Sequence, residues 1–388
     1  MSMEQGFILV VDDNEANRDV LSRRLRRQGH SVAVAENGQQ ALEMFRSQSF
    51  DLVLLDVMMP EMNGYQVLEE MKANPSLRHI PVIMISALDD IDSVVRCIEL
   101  GAEDYLYKPF NPVLLKARVG ASLEKKWLRD QEQAYLQAVR REMELGRRIQ
   151  EDFLPGTLPE LPGWDIAAMF HPAREVAGDF YDVFMVSDHQ LGLVIADVCD
   201  KGVGAALFMA LIRSLIRSFS EQVATNIADV LKAVPMTNNY IARHHHNQHR
   251  QTPHMFATLF FGVLDARSGL LTYLNGGHEP PVLLDKSGVK MLLEPTGPAV
   301  GFMADSTFGI AHVTLEPGDI LFSYTDGVTE ARNARREFFS EERLITLLKQ
   351  ASRSPSSIME QVEKAVLEYT VTTVPSDDIT MLAIQRML

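Results

Sequence analysis

Phe7-Ile8-Leu9-Val10-Val11-Asp12-Asp13 sets five apolar residues in a row and closes them with two carboxylates. Its reading decides the fold of the first third of the chain. A run this short and this uniformly apolar fits a strand covered on both faces. Working outward, similar runs recur at Ser31–Ala35, Leu52–Leu55, Val82–Ile85 and Tyr105–Tyr107. Amphipathic stretches near 15–28, 38–47, 65–73, 90–100 and 112–125 lie between and after them. Strand and helix in strict alternation predict an α/β fold, a doubly wound five-stranded parallel sheet that takes its ligands beyond the carboxyl ends of the strands. Asp12 and Asp13 end the first run, Asp56 the third, Ser86 the fourth and Lys108 the fifth, so all five reach one rim.

At 388 residues the chain exceeds one core of usual size. An apolar content of 46% with 23% charged residues is that of a globular protein. The net charge of −15 divides into −8 for 1–111, +2 for 112–155 and −9 for 156–388. Nucleic acid is therefore excluded as the main partner, since a phosphate backbone needs a basic footprint. Cys97 and Cys199 stand far apart and make neither a disulfide framework nor a metal cluster. No stretch approaches the roughly 18 apolar residues of a membrane span, and no leader signal opens the chain, so the cytoplasm is the expected compartment.

Residues 112–155 carry no strand signal. Leu128, Tyr135, Val139, Met143, Gly146, Ile149 and Phe153 recur at spacings of three, four or seven, which predicts one long amphipathic helix ended by Pro155 and Pro159. Such a seam, of the coiled-coil kind, suits pairing in a homodimer. From 156 to 388 the pattern becomes many strands with few crossovers, an α+β sandwich. Strands are expected at 166–170, 183–186, 191–196, 256–264, 270–274, 282–284, 310–315, 320–324 and 379–384, and helices at 205–218, 227–244, 341–350 and 355–369. Ser354 and Pro355 begin the last helix.

The first rim holds the parts of an aspartyl-phosphate site. Asp56 can be the nucleophile, and Asp13 with Asp12 behind it can hold Mg2+. Lys108 offers a compact positive charge, and Ser86 a hydroxyl for a phosphoryl oxygen. These residues, with Leu54-Leu55-Asp56-Val57-Met58-Met59-Pro60, Met62-Asn63-Gly64 and Lys108-Pro109-Phe110, resemble the receiver domain of two-component response regulators over 1–125. The resemblance implies that a histidine kinase phosphorylates Asp56. It also implies that Asp13, Asp56 and the Met58 carbonyl hold the metal, that Ser86 and Tyr105 form a switch pair, and that Lys108-Pro109 is cis. Taken alone, Tyr105 also reads as a half-buried edge aromatic.

A second set of aspartates lies in Ala177-Gly178-Asp179-Phe180-Tyr181-Asp182, Ala196-Asp197-Val198-Cys199-Asp200-Lys201-Gly202, Tyr324-Thr325-Asp326-Gly327 and Ser376-Asp377-Asp378-Ile379-Thr380. Carboxylates at strand ends beside glycine can hold two divalent cations about 3.5–4 Å apart, the arrangement of metal-assisted phosphate hydrolysis. The four motifs, with Gly276-Gly277-His278-Glu279-Pro280-Pro281, Gly297-Pro298-Ala299-Val300-Gly301 and Ile149-Gln150, resemble the SpoIIE-like branch of the metal-dependent (PPM, protein phosphatase 2C superfamily) phosphatases. The resemblance implies two Mn2+ or Mg2+ ions. Asp197 would bridge them with help from the Val198 carbonyl, Asp326 and Asp377 would complete the first metal's shell, and Asp179 would orient metal-bound water. Asp378 is the poorer ligand. Cys199-Asp200 replaces the Ser-Gly common in the family.

Arg174 can reach a substrate phosphate or be a plain surface residue. His244, His245, His246, His249 and His254 can bind a soft cation or sit in a solvated loop, and His278 reads as a structural turn residue. The expected function is a phosphorylation-regulated protein serine/threonine phosphatase. By resemblance, its target is a regulatory protein such as an anti-sigma-factor antagonist. The rivals are a receiver-controlled binding scaffold and, against the charge, a transcription factor.

Overall fold

The computed structural model describes residues 5–87, 91–222, 227–244, 255–350, 354–370 and 377–388. The chain divides into two compact units, 1–139 and 140–388. Most of the histidine cluster, His245, His246, His249 and His254, lies outside the described residues, as does Ser376.

In the first unit, β1 (Phe7–Val11), β2 (Ser31–Ala35), β3 (Leu52–Asp56), β4 (Val82–Ser86) and β5 (Asp104–Tyr107) form a wholly parallel sheet in the order β2-β1-β3-β4-β5. Helices α1 (Glu15–Arg27), α2 (Gly38–Ser47), α3 (Gly64–Ala73) and α4 (Ile91–Glu99) alternate with the strands. Leu9, Val11, Val53 and Leu55 pack on one face of the sheet, and Ile8, Val10, Leu52 and Leu54 on the other. This two-sided burial is what the uniform apolar runs require, each side chain contributing about 2 kcal/mol. Capping sets the helix starts. Asn14 accepts from the Ala16 and Asn17 amides, and Asn63 forms a reciprocal box with Gln66.

Helix α5 (Pro112–Phe153) is continuous over 42 residues, as the stripe predicts. In the first unit Leu115, Val119 and Leu123 bury against the sheet. Below them Lys126 pairs with Asp51 and Asp130, while Lys125 and Arg129 pair with Glu103.

The second unit layers helices on both sides of a two-sheet sandwich. One sheet runs β13-β10-β9-β8-β7, from β7 (Phe180–Ser187), β8 (Gln190–Val198), β9 (Ala257–Asp265), β10 (Leu270–Gly276) and β13 (Ala311–Thr314). The other runs β12-β11-β14-β15-β6, from β6 (Trp164–His171), β11 (Val282–Asp285), β12 (Gly288–Leu292), β14 (Ile320–Tyr324) and β15 (Ile379–Arg386). Leu193, Ile195, Phe260, Leu283, Leu321 and Leu382 fill the space between the sheets. Helices α6 (Val203–Gln222), α7 (Ile227–Leu231) and α8 (Ala233–His244) cover the first sheet, and α9 (Asp326–Thr329), α10 (Glu341–Gln350) and α11 (Pro355–Tyr369) the second.

Three details depart from the sequence reading. The helix expected over 227–244 is two helices, because Pro235 lacks an amide proton and fits only a first turn. Strand β12 went unforeseen, being a short, partly exposed edge that holds glycine and lysine. Helix α6 is long and apolar enough to cross a membrane by length and composition. Its Ala205, Phe208, Met209, Ile212 and Ile216 are instead core residues of the second unit.

Candidate functional site

In the first unit, Asp12, Asp13 and Asp56 bring carboxylate oxygens within 4.8 Å of one another. Strand ends β1 and β3 place them side by side, and glycine lets the next helix close over them. A Cβ on Gly64 would overlap the Asp56 carbonyl oxygen, so α3 starts against the strand end only because residue 64 has none. Lys108 Nζ lies 2.9 Å from Asp12 Oδ2 and 2.8 Å from Asp56 Oδ2, at the end of β5 and before the cis Lys108-Pro109 peptide. Burial raises the Asp56 pKa; the Lys108 bond opposes this and the Asp12 charge adds to it. Burial works against the Lys108 ammonium, but its two carboxylate partners outweigh that and raise its pKa. An oxygen-only trio, two of them buried and Asp13 exposed, beside one ammonium suits a hard divalent cation.

Met58 follows on an exposed loop, its amide bonded to the Asp56 carboxylate. Ser86 is buried at the end of β4. Tyr105 sits on edge strand β5 in register with Met84, two residues from Ser86 on the same face, with the Arg118 guanidinium 4.8 Å from its ring. It is half-buried.

In the second unit, four strand ends gather Asp179, Asp197, Asp326, Asp377 and Asp378. Asp179 is buried, and its Oδ2 accepts hydroxyl bonds from Thr325 (2.7 Å) and Thr380 (2.8 Å), one from each of two neighbouring strands. Asp378 is buried too, and both of its oxygens are used: Ala173 N donates to Oδ1 at 2.8 Å and Gly178 N to Oδ2 at 2.9 Å. It fastens the turn that presents Asp179. A Cβ on Gly178 would stand 3.0 Å from the Val198 carbonyl oxygen, so this turn lies directly on the end of β8. Gly327 repeats the device seen at Gly64, since a Cβ there would overlap the Asp378 carbonyl oxygen. Asp377 pairs with Lys201 Nζ at 2.7 Å.

Proton affinities record the crowding. Burial and then the Asp197 charge push Asp179 well above the usual carboxylate range. Burial lifts Asp197 to about 6; its bond to Asp179 opposes this and the charges of Asp377 and Asp378 add to it. Burial, then Asp197 and Asp377, lift Asp326 to about 7. Oxygen donors that repel one another in a buried site fit divalent cations, whose charge relieves that repulsion. Among the described residues, only the trio in the first unit meets the tighter spacing of 4.8 Å among three ligand atoms.

Asp200 adopts φ +77°, a left-handed turn that glycine takes at no cost, and its side chain accepts from the Lys201 amide. Cys199 Sγ accepts from Phe256 N at 3.1 Å, so the Cys-Asp pair keeps the turn closed. Arg174 is exposed on the loop before Asp179. His244 packs at a tilt against the Tyr240 ring, with centroids 5.0 Å apart. The supporting hydroxyls of Thr325 and Thr380 were missed from sequence, although each stands next to or two residues from an aspartate. Gln150, at the end of α5, gives the site a further tie. Its buried amide donates to Ala177 O at 2.6 Å and accepts from Ala177 N at 3.0 Å, immediately before Gly178-Asp179.

Comparison with known proteins matches both units. The family model described as Stage II sporulation protein E (SpoIIE) matches residues 187–387, and that of the response regulator receiver domain matches 8–120. The chain belongs to the SpoIIE family of PPM-type phosphatase domains and carries a receiver domain ahead of it. It is similar to Protein IcfG of Synechocystis sp., with 45% identity over 269 residues, 64% of this chain and 42% of that protein. It is also similar to a probable transcriptional regulator ycf27 of Cyanidium caldarium, with 44% identity over 31% of this chain and 47% of that protein. The chain thus spans less than half the length of these relatives. In fold it is similar to the SiaA PP2C domain of Pseudomonas aeruginosa, with a TM-score of 0.53 and 22% identity, covering 65% of this chain and 98% of that one.

Proposed function

We propose that this chain is a phosphorylation-gated, metal-dependent protein serine/threonine phosphatase. The observation that carries the reading is the meeting of Asp179, Asp197, Asp326 and Asp377 at the ends of two sheets, with proton affinities raised by burial and mutual repulsion. Two divalent cations, Mn2+ or Mg2+, would supply an ionised water and neutralise phosphate charge. Asp197, with the Val198 carbonyl, would be shared between them, and Asp326 and Asp377 would complete the ligands of the first metal. Asp179, fixed by two threonine hydroxyls, orients the attacking water. The water oxygen bonds to phosphorus as the phosphorus–oxygen bond to serine or threonine breaks, and the leaving oxygen takes a proton. Arg174, on the exposed loop, would meet the phosphate.

In the receiver, Asp56 takes a phosphoryl group from a histidine kinase. Asp12, Asp13, Asp56 and the Met58 carbonyl would hold Mg2+, while Lys108 and Ser86 would steady the phosphoryl oxygens and Ser86 with Tyr105 would relay the change. Gln150 supports a route to the phosphatase, because movement of the end of α5 acts directly on the backbone before Asp179. The exposed Leu128, Tyr135, Leu136, Leu145 and Ile149 on α5 suit pairing in a homodimer. The protein target is a phosphorylated regulator of the anti-sigma-factor-antagonist kind.

Mn2+-dependent hydrolysis of p-nitrophenyl phosphate and of a phosphoserine protein tests the reading. Loss of at least about 100-fold in Asp197→Ala is expected. Beryllofluoride bound at Asp56 should change the wild-type rate and leave Asp56→Asn unaffected. Turnover that survives Asp197→Ala refutes the assignment, and an inactive wild type with and without beryllofluoride favours the scaffold.

A further inference from the structure

His278 lies on the connection between β10 and β11, where the chain passes from one sheet of the sandwich to the other. It is buried, and its backbone is locked on both sides by one side chain. Its amide donates to Asn275 Oδ1 at 2.8 Å, and its carbonyl accepts from Asn275 Nδ2 at 3.1 Å. That lock aims the ring. Nδ1 lies 2.8 Å from Thr258 Oγ1, and Thr258 is the cross-strand partner of Asp197. On its other side the ring reaches the Tyr324 backbone, and Tyr324 immediately precedes Thr325 and Asp326, although Nε2 makes no hydrogen bond of good geometry. Burial lowers the ring's pKa to about 3, so it adds no charge to the acidic site.

A turn residue would need only its backbone. The ring instead touches β9, the strand paired with the one that carries Asp197, and β14, which ends two residues before Asp326, on opposite sheets. We propose that His278 is a positioning residue, a strut whose contact with Thr258 fixes the separation of the Asp197 and Asp326 carboxylates and hence their grip on divalent cations. The inference rests on the phosphatase reading above. The protein supplies its own control in a second threonine–histidine contact, Thr272 Oγ1 to His312 Nδ1 at 3.1 Å, which joins β10 to β13 at the sheet edge.

The test is Mn2+ affinity of the full chain, measured by electron paramagnetic resonance on wild type, Thr258→Val, His278→Gln, the double variant and Thr272→Val, each confirmed folded by circular dichroism. Because the receiver also takes divalent cations, all carry Asp56→Asn and Asp13→Asn, and Asp197→Ala in that background identifies the phosphatase signal. Thr258→Val and His278→Gln should each weaken that signal's affinity about tenfold, as loss of an outer support does. The double variant should lose no more than either single one, and Thr272→Val should match wild type. Should His278→Gln fail to fold, Thr258→Val against Thr272→Val decides. Unchanged affinity in folded Thr258→Val, or an equal loss in Thr272→Val, overturns the strut. A wild type with no Mn2+ signal that depends on Asp197 overturns the phosphatase reading instead.

Discussion

Asp377 and Asp378 are adjacent and chemically identical, yet their surroundings assign them opposite work. Asp378 serves two backbone amides from within the protein, while Asp377 faces a partly exposed lysine. Asp378→Asn replaces one acceptor with a donor against the Gly178 amide. It should cost about 2 kcal/mol in urea unfolding. Asp377→Asn should cost less than about 1 kcal/mol, because a partly exposed ion pair contributes little. Equal losses would show that the pair has been read wrongly. Backbone conformation gives a second contrast. Exposed Arg336 is held at φ +62°, which a side chain with a Cβ resists by about 1 kcal/mol. Arg336→Gly should therefore raise the urea midpoint without changing Mn2+ affinity.

Elements are fastened to the site by a few polar contacts that sequence periodicity does not reveal. Asp182, buried on β7 three residues past Asp179, accepts from Nε and Nη2 of Arg217 at 2.7 and 2.8 Å and lies 3.1 Å from Arg213 Nε, clamping α6 to the sheet. Asp182→Ala leaves two guanidinium groups short of their anion and should destabilise the second unit by about 3 kcal/mol, read as a lower thermal midpoint. Strands and helices with strong apolar patterning were legible, down to Ser354 capping α11. So were the aspartates, because each closes an apolar run or stands beside glycine. What stayed hidden depended on residues remote in sequence. Thr325 and Thr380 reach Asp179 across 146 and 201 positions, and nothing local to either threonine announces that bond. Asp182 was hidden for the same reason, since its arginines lie a whole helix away. The break before α8 was legible in Pro235 and was passed over because the apolar pattern runs through it.

Over the whole molecule the acidic balance has a thermodynamic sign. Asp326 at about 7 and Asp197 at about 6 bind protons more tightly folded than unfolded, where the ordinary value is 3.8. Folding therefore takes up protons between about pH 4 and pH 7. The stability these groups lend is complete below their unfolded value and is lost as pH rises through the folded ones. In EDTA the thermal midpoint of the second unit should fall from about pH 5 to about pH 8, and Mn2+ should restore most of the loss at the upper end. A midpoint that rises over that range in EDTA, with no response to Mn2+, would contradict the crowded-carboxylate site. The receiver offers its own comparison, because Lys108 already sits between Asp12 and Asp56. Its unfolding should respond less steeply to alkali.

Gly64 and Gly327 are absent from the positions with left-handed backbone, yet any β-carbon there would strike a carbonyl oxygen of Asp56 or Asp378. Dihedral preference alone would pass alanine or serine at both. In a saturation library these two codons should tolerate nothing else, whereas Gly202, left-handed with open space around it, should admit asparagine. A survey of variants that ranks glycines by torsion would thus invert their order of sensitivity.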